Sequence, residues 1–315
     1  MLLEVKHLRI AFKREGRITV PVRDVSFSVP EHGRVALVGE SGCGKSLTAL
    51  SLARLPPTDR AQISGEILFT PSSTNRTIEQ SEQSNNHRIA YVFQNPSDSL
   101  NPVMRIAEQI REALPKGMAR DAQDTRIVEI LARTGLPDPV RAAHAYPCEL
   151  SGGQQQRAMI AMALAAAPDL LVADEPTTAL DVTTQKQVLE LIDSLAAETG
   201  MAVLLITHNL GLVAGRMDFV NVMYAGQIVE SGPVTEVLSS PRHPYTKGLL
   251  AAVPALDAPR DAPLADIPGV VPPPDAWPSG CAFHPRCTCA TDRCRAESPV
   301  VQVIGSRTCV CFHAR

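Results

Sequence analysis

Long apolar runs are missing from this 315-residue chain. The longest stretch, Ala158 to Ala173, is broken by Pro168 and Asp169 and falls short of the roughly 20 residues a membrane-spanning helix needs. An excess of charge is missing too. The formal net charge is −3, so bulk electrostatics point neither to a nucleic-acid binder nor to an acidic tail. The start, MLLEVKHLRIAF, shows no apolar segment behind a basic one, and no secretory signal is expected. No internal repeat stands out. What is there is ordinary for a globular protein, with 44% hydrophobic and 20% charged residues in a length that allows one large or two modest domains. Any membrane role must come through a partner.

Alternation of short apolar runs with helical stretches predicts an α/β core with a parallel sheet. Strands are expected at Leu2 to Ile10, Val25 to Val29, Val35 to Val38, Leu170 to Ala173 and Val203 to Ile206. Helices are expected at Leu47 to Leu55, stopped by Pro56 and Pro57, over much of Ile106 to Ala167, and at Thr183 to Glu198. Residues 71–88 are polar and read as an exposed loop. After about Ser240 the chain turns rich in proline and cysteine. The expected division is a domain at 1–240 and a separate module at 241–315 that does not continue the sheet.

Gly39-Glu40-Ser41-Gly42-Cys43-Gly44-Lys45-Ser46 fits G-x-x-x-x-G-K-[ST] between an expected strand and an expected helix. Glycines let successive backbone N–H groups curl around phosphates, and a helix N-terminus adds a favourable dipole. Lys45 places positive charge on the β- and γ-phosphates, and the Ser46 hydroxyl can ligate Mg2+. Cys43 occupies a variable position and reads as filler. The second element, Leu170 to Glu175, is a buried strand ending in two acids. Asp174 suits the metal, and Glu175 is placed to orient or deprotonate the attacking water. Together they define an NTPase that uses Mg2+.

Leu150-Ser151-Gly152-Gly153-Gln154 opens a helical stretch ahead of the Asp-Glu pair. An isolated Ser-Gly-Gly would be an N-cap, but here the sequence resembles the ABC ATPase family, whose signature is LSGGQ. That resemblance implies a P-loop NTPase (RecA-like) core with an antiparallel β subdomain and a helical signature subdomain. It also implies that Ser151, Gly152, Gly153 and Gln154 cap the γ-phosphate bound to an opposing subunit. Gln94, in Tyr-Val-Phe-Gln-Asn-Pro, resembles the glutamine that senses metal and water and faces the membrane subunit. Ala179-Leu180-Asp181 resembles the loop that communicates across the dimer, and His208 the histidine at the γ-phosphate. Phe12 resembles the aromatic near the family's N-terminus that stacks on adenine, although an early phenylalanine equally suits a core. The resemblance covers roughly residues 1–240. No sustained heptads occur between the lysine loop and the signature, unlike the chromosome and DNA-repair members.

Finer resemblance is to the ATP-binding subunits of bacterial dipeptide/oligopeptide importers, a family that includes some nickel importers. It is carried by Ser97-Asp98-Ser99-Leu100-Asn101-Pro102, by Pro241-Arg242-His243-Pro244-Tyr245-Thr246, and by Gly280-Cys281-Ala282-Phe283-His284-Pro285-Arg286-Cys287. The implied partners are two permeases, a second and related ATPase subunit, and indirectly an extracytoplasmic solute-binding protein. No nucleic acid is implied. The implied place is the cytoplasmic face of the inner membrane, as a peripheral subunit. Importers of another solute, nickel or an opine, and a soluble regulatory ATPase are the alternatives. Six cysteines crowd the tail, and without a secretion signal disulfides explain them poorly. Members of this importer group resemble [4Fe–4S] proteins here, which makes Cys281, Cys287, Cys294 and Cys311 the implied ligands, with Cys289 spare. Four thiols also suit structural Zn2+, and spacing without a C-x-x-C pair leaves iron–sulfur, zinc and no metal open. The end of the chain departs from the family by offering both Cys309 and Cys311.

Overall fold

A computed structural model describes residues 1–14, 17–55, 58, 60–70, 89–178, 180–253 and 266–314. The polar stretch 71–88, Pro56, Pro57 and Ala179 lie outside them. In chain order the strands and helices are β1 (Leu3–Arg14), β2 (Arg17–Val29), β3 (Arg34–Val38), α1 (Lys45–Leu52), β4 (Ala61–Phe69) and β5 (Ile89–Val92). Then come α2 (Pro96–Ser99), α3 (Ile106–Ala113), α4 (Arg120–Arg133), α5 (Pro139–His144), α6 (Gly152–Ala165), β6 (Leu170–Asp174), α7 (Val182–Thr199) and β7 (Ala202–Thr207). The chain closes with β8 (Phe219–Tyr224), β9 (Gln227–Pro233), α8 (Val234–Ser239), α9 (Pro244–Ala251), α10 (Asp292–Ala296), β10 (Gln302–Ile304) and β11 (Arg307–Cys309). Two compact units result, Met1–Gln80 with Leu205–Arg315, and Ser81–Leu204.

In the first unit the sheet runs β4-β1-β2-β9-β8-β3. The outer part is antiparallel: β1 pairs with both β2 and β4. Leu3, Val5, Leu8 and Ile10 of β1 are buried, and the two-residue period slips between Val5 and Leu8. A bulge absorbs the slip. The register shifts there, His7 takes a left-handed φ of 51°, and Gly65 on β4 lies opposite with φ 102°. At the inner end β3 lies parallel to β8, Val35 beside Phe219 and Val38 beside Val222. Both are buried along nearly their whole length, the pattern of a strand covered on two faces. The tail joins this sheet. β10 and β11 form a hairpin, and Thr308 and Cys309 pair with Ser231 and Glu230 of β9. The expectation that residues after 240 stay off the sheet is therefore corrected: β2 pairs with β9 at Asp24 beside Gln227, and the antiparallel hairpin pairs with the stretch that follows, at Glu230 and Ser231.

In the second unit β5 lies parallel to β6, Tyr91 beside Val172 and Val92 beside Ala173. Every residue of β6 is buried. Helices α3, α4, α5 and α6 pack together on Ile106, Ile110, Ile127, Ile130, Leu131 and Ile160, each at most 1% exposed. Helix α7 is stopped by Gly200, whose left-handed φ of 70° closes its C-terminus. Helix α1 ends earlier than expected, because Ala53 and a left-handed Arg54 turn the chain before the prolines.

Gly65→Ala is expected to destabilise the protein by about 1–3 kcal/mol in urea denaturation, a strain cost. A β-carbon there would stand 2.5 Å from the His7 carbonyl oxygen, and backbone cannot give way as a flexible side chain can. Unchanged stability would show that the bulge is not rigid.

Candidate functional site

The loop after β3 folds around a buried cation. Lys45 is 5% exposed, and its Nζ donates to the carbonyl oxygens of Gly39 at 2.7 Å and Glu40 at 3.0 Å. For those carbonyls to face inward the loop must curl tightly, and three glycines permit it for different reasons. A β-carbon on Gly39 would lie 2.2 Å from the Met223 carbonyl oxygen of β8. One on Gly44 would lie 2.9 Å from the Pro21 carbonyl oxygen of β2, and Gly44 also has φ 104°. Gly42 has open space around it but φ 81°, which disfavours a side chain. Gly39 N–H donates to Thr207 O at 3.4 Å, and Gly226 N–H to Cys43 O at 3.0 Å.

Ser41, Gly42 and Ser46 face solvent at the N-terminus of the eight-residue α1. A buried ammonium, exposed loop residues and a helix start form a donor set that fits a phosphate chain. Cys43 is fully buried, and burial, only partly opposed by Lys45, pushes its thiol up. An inert thiol agrees with its reading as filler. His208 is exposed just past the end of β7, and Phe12 is half-buried on β1 opposite Thr19 and Ala61.

In the second unit the two acids at the end of β6 have different surroundings. Asp174 is 5% exposed and its Oδ2 accepts from the Tyr91 hydroxyl at 2.7 Å. Burial first, then the Asp174 charge, pushes the Tyr91 phenol far up, so it stays a donor. Glu175 has a left-handed φ of 43°, a costly conformation for a side-chain-bearing residue and one that concentrates at functional sites. Its Oε2 accepts from Gln94 Nε2 at 3.3 Å and from Thr178 Oγ1 at 3.1 Å. Gln94 and Glu175, read separately from the sequence, are thus brought together. Tyr91 and Thr178 escaped the sequence reading. Only the parallel register of β5 on β6 places Tyr91 beside Val172, two residues from Asp174.

Ser151 caps α6. Its Oγ accepts from Gln154 N–H at 3.4 Å, while Gln154 Oε1 accepts from Ser151 N–H at 3.0 Å, a reciprocal capping box. Ser151 and Gly152 are exposed, and a β-carbon on Gly152 would meet nothing within 4 Å, while one on Gly153 would lie 3.0 Å from Thr184 Cγ2. Asp181 caps α7, accepting from the Thr183 and Thr184 N–H groups at 3.0 Å each and from Thr184 Oγ1 at 2.6 Å. The Thr184 hydroxyl, then its N–H, holds that carboxyl below the ordinary range. Gln109 organises the Ser-Leu-Asn-Pro segment, its Nε2 donating to Asn101 O and Met104 O at 3.0 Å each.

In the tail, Cys281, Cys287, Cys294 and Cys311 line one small pocket with His243, His284 and His313. Cys294 Sγ lies 3.6 Å from His313 Nε2, and Cys281 N–H donates to Cys294 O at 2.8 Å. Burial raises the Cys281, Cys287 and Cys311 thiols, and neighbouring thiols add to the rise. Cys289 is exposed and Cys309, pushed up to about 12 by burial and the Glu230 carboxylate, sits on β11; neither lines the pocket. Among the described residues no group of three or more His, Cys, Asp or Glu side chains stands ready-made around a metal position.

The His-Pro-Tyr-Thr segment has a structural reason. Glu230, fully buried, accepts from Arg242 N–H at 2.8 Å and His243 N–H at 2.9 Å. His243 Nδ1 then accepts from Tyr245 N–H at 3.1 Å to cap α9, and Pro244 fills the first helical position.

These elements match known proteins. The ABC transporter family matches residues 22–178, and the oligopeptide/dipeptide transporter C-terminal region matches residues 229–294. A Brucella melitensis protein named "Putative peptide import ATP-binding protein" is 44% identical over 98% of this chain and 94% of its own length. One of the same description from Brucella ovis is 48% identical over 95% of this chain and 92% of its own. Among solved structures, the ATP-binding cassette MJ0796, a dimer bound to ADP and phosphate, superposes with a TM-score of 0.63 at 26% identity, over 74% of this chain and 98% of that one. CbiO1 of Clostridium perfringens, part of the ABC transporter complex cbiONQ, gives a TM-score of 0.63 at 25% identity, over 76% and 91%. The chain is an ATPase of the ABC class, acting on ATP with Mg2+. Within that class it belongs to the family of peptide import ATP-binding proteins. Membership implies membrane permease partners and pairing of ATPase cassettes. Among the described residues no helix is long and apolar enough to cross a membrane.

His243 is held neutral: burial lowers its pKa from 6.5 to about 3. Between those values the unfolded chain binds a proton that the folded chain does not, so stability falls as pH drops from 7 towards 3. His243→Asn, which keeps a capping oxygen, is expected to flatten the slope of urea-unfolding free energy between pH 7 and pH 5. An unchanged slope would place the acid sensitivity elsewhere.

Proposed function

We propose that this chain powers the uptake of dipeptides and oligopeptides through two separate permease subunits, working at the cytoplasmic face of the inner membrane beside a second, related ATPase. A solute-binding protein outside the membrane would deliver the cargo. The observation that carries the reading is the match of residues 229–294 to the oligopeptide/dipeptide transporter C-terminal region, on a chain whose preceding residues match the transporter ATPase. The proposed division is an ATPase domain at 1–240 and a cysteine-rich extension at 241–315.

In this reading the N–H groups of Gly39 to Ser46 bind the phosphates, and Lys45 leaves its two carbonyl partners to meet the β- and γ-phosphates. Ser46 and Asp174, with Gln94, are the proposed holders of Mg2+, which draws charge off the phosphate oxygens. Tyr91 keeps the Asp174 carboxylate oriented. Glu175 takes the proton of the attacking water, and its hydrogen bonds to Gln94 and Thr178 aim it. His208 supports the γ-phosphate and Phe12 the adenine. Ser151, Gly152, Gly153 and Gln154 are proposed to close on the nucleotide of the paired cassette. Asp181, as a helix cap, would fix the loop that senses that pairing. ATP then favours the closed pair of cassettes and hydrolysis favours the open one, a population shift the permeases read.

For the tail we propose a [4Fe–4S] cluster on Cys281, Cys287, Cys294 and Cys311, with structural zinc as the second reading. Four thiols on one pocket wall have the donor chemistry of either. Its role would be to order a segment with little core of its own.

Glu175→Gln is expected to bind ATP, to hydrolyse it at least about 100-fold more slowly, the scale of a lost general base, and to accumulate as a closed pair on size-exclusion chromatography. Turnover at the unmutated rate would remove Glu175 from that role. Anaerobic affinity purification from gently solubilised membranes is expected to bring two permeases, a second ATPase, and iron with sulfide. Recovery without permeases would overturn the importer reading, and zinc or no metal would overturn the cluster.

A further inference from the structure

Glu40, the second residue of the phosphate loop, is held at three polar handles. Its carbonyl accepts from Lys45 Nζ at 3.0 Å. Its N–H donates to the Tyr245 hydroxyl at 2.8 Å. Its carboxylate accepts from Arg286, Nη1 to Oε2 at 2.7 Å and Nη2 to Oε1 at 2.9 Å, the parallel fork that makes Arg–carboxylate pairs strong and directional. The carbonyl also accepts from Cys43 N–H at 3.4 Å, while the holders of the N–H and of the carboxylate, Tyr245 and Arg286, come from the tail.

Arg286 is itself immobilised. Its side chain is 4% exposed, and its remaining donors go to Pro268 O at 2.8 Å and Ile267 O at 3.0 Å. Its guanidinium lies 5.8 Å from the centre of the Tyr224 ring. That ring packs against Tyr245 and Phe283, with centroids 4.6 Å and 5.1 Å away. Phe283 and Arg286 lie within the short turn between Cys281 and Cys287, so the same turn that carries these thiols reaches the phosphate loop.

The consequence lies in what nucleotide binding requires. Lys45 occupies its place by donating to the Gly39 and Glu40 carbonyls, and reaching a phosphate means giving up those bonds. What then holds the curl is the set of backbone bonds that remain, Cys43 N–H to Glu40 O at 3.4 Å among them, together with the side chains that fix the Glu40 peptide and carboxylate. The geometry points to Arg286 as a positioning residue for ATP binding: acting through Glu40, and alongside Tyr245, it keeps the phosphate loop in its binding shape when the lysine leaves. The tail segment thereby sets the affinity of the ATPase for its nucleotide, besides joining the sheet. This rests on Gly39 to Ser46 being the nucleotide loop.

The test is a titration of full-length protein with a fluorescent ATP analogue, alongside steady-state ATPase kinetics, for Arg286→Met, Glu40→Gln and the double variant. Each single change is expected to weaken nucleotide binding about tenfold, the scale of one lost charge-assisted pair. KM should rise with kcat within about twofold, because positioning of the loop affects binding rather than the proton transfer at Glu175. The double variant should be no weaker than the weaker single, since both remove one interaction. Arg286→Lys should recover part of the loss. If Arg286→Met fails to fold, Glu40→Gln and Arg286→Lys carry the test, because Glu40 is partly exposed and the lysine keeps the charge. Unchanged affinity in the single variants, with only a lower unfolding midpoint, would reduce the pair to a structural tie and overturn the proposal. Additive losses would overturn it too. Lys45→Ala in the same titration checks the loop separately: binding lost there but intact in the Arg286 and Glu40 variants would sink the clamp alone.

Discussion

A buried ammonium constrains the nucleotide-binding end of this protein more than any other single group. Taking Lys45 out of water carries a desolvation cost of several kcal/mol, and the fold offsets it with two backbone carbonyls. Those carbonyls must point inward, so the loop must be tight. Tightness in turn requires that no β-carbon stand at positions 39 and 44, where β8 and β2 come within van der Waals distance. The same compression leaves Cys43 sealed and inert. A phosphate chain offers the lysine a stronger partner than the carbonyls it holds. In the proposed binding step the lysine exchanges these carbonyls for phosphate, and the residues that steady Glu40 then hold the loop.

A second economy governs the acids at the end of β6. Asp174 is kept almost dry with the Tyr91 hydroxyl on one oxygen, which suits a carboxylate that orients and does not move. Glu175, one residue on, sits in a strained backbone conformation with Gln94 and Thr178 on its carboxylate. Adjacent acids thus have different surroundings, which fit the different tasks proposed for them. The caps at Ser151 and Asp181 show a related double use. Each satisfies a helix N-terminus within this chain while leaving exposed polar groups at the same end.

The lysine loop and the Asp-Glu strand were legible because their chemistry is local: a curl, a helix start and a buried strand end are written in consecutive residues. Strands β3, β6 and β7 were legible for the same reason, as short continuous apolar runs. Strands β4, β5, β8 and β9 were not. In β4 most positions are exposed and Gly65 interrupts the alternation; in β8 a buried Asn221 does so, and in β9 a buried Glu230. Their state is decided by neighbours distant in sequence. The pairing of the tail with the sheet is hidden for that reason as well. Its last strand has only three residues and takes its place from the edge of β9. The His-Pro-Tyr-Thr segment was recognised as a family mark, but its cause, the buried Glu230 gathering two N–H groups and a histidine capping α9, was visible only in space.

The sequence by itself determined the class of chemistry. The lysine loop, the Asp-Glu pair and the LSGGQ helix start depend on residue types at fixed short spacings, and such spacings survive without knowledge of the fold. Tertiary structure alone decided which groups meet across long separations: Tyr91 with Asp174, Gln94 with Glu175, four tail thiols around one pocket, and Arg286 with Glu40. Those meetings follow from strand register, from the stretch of β9 beyond its pairing with β2, and from the need to pair buried charge. All three act between segments that sequence distance keeps apart.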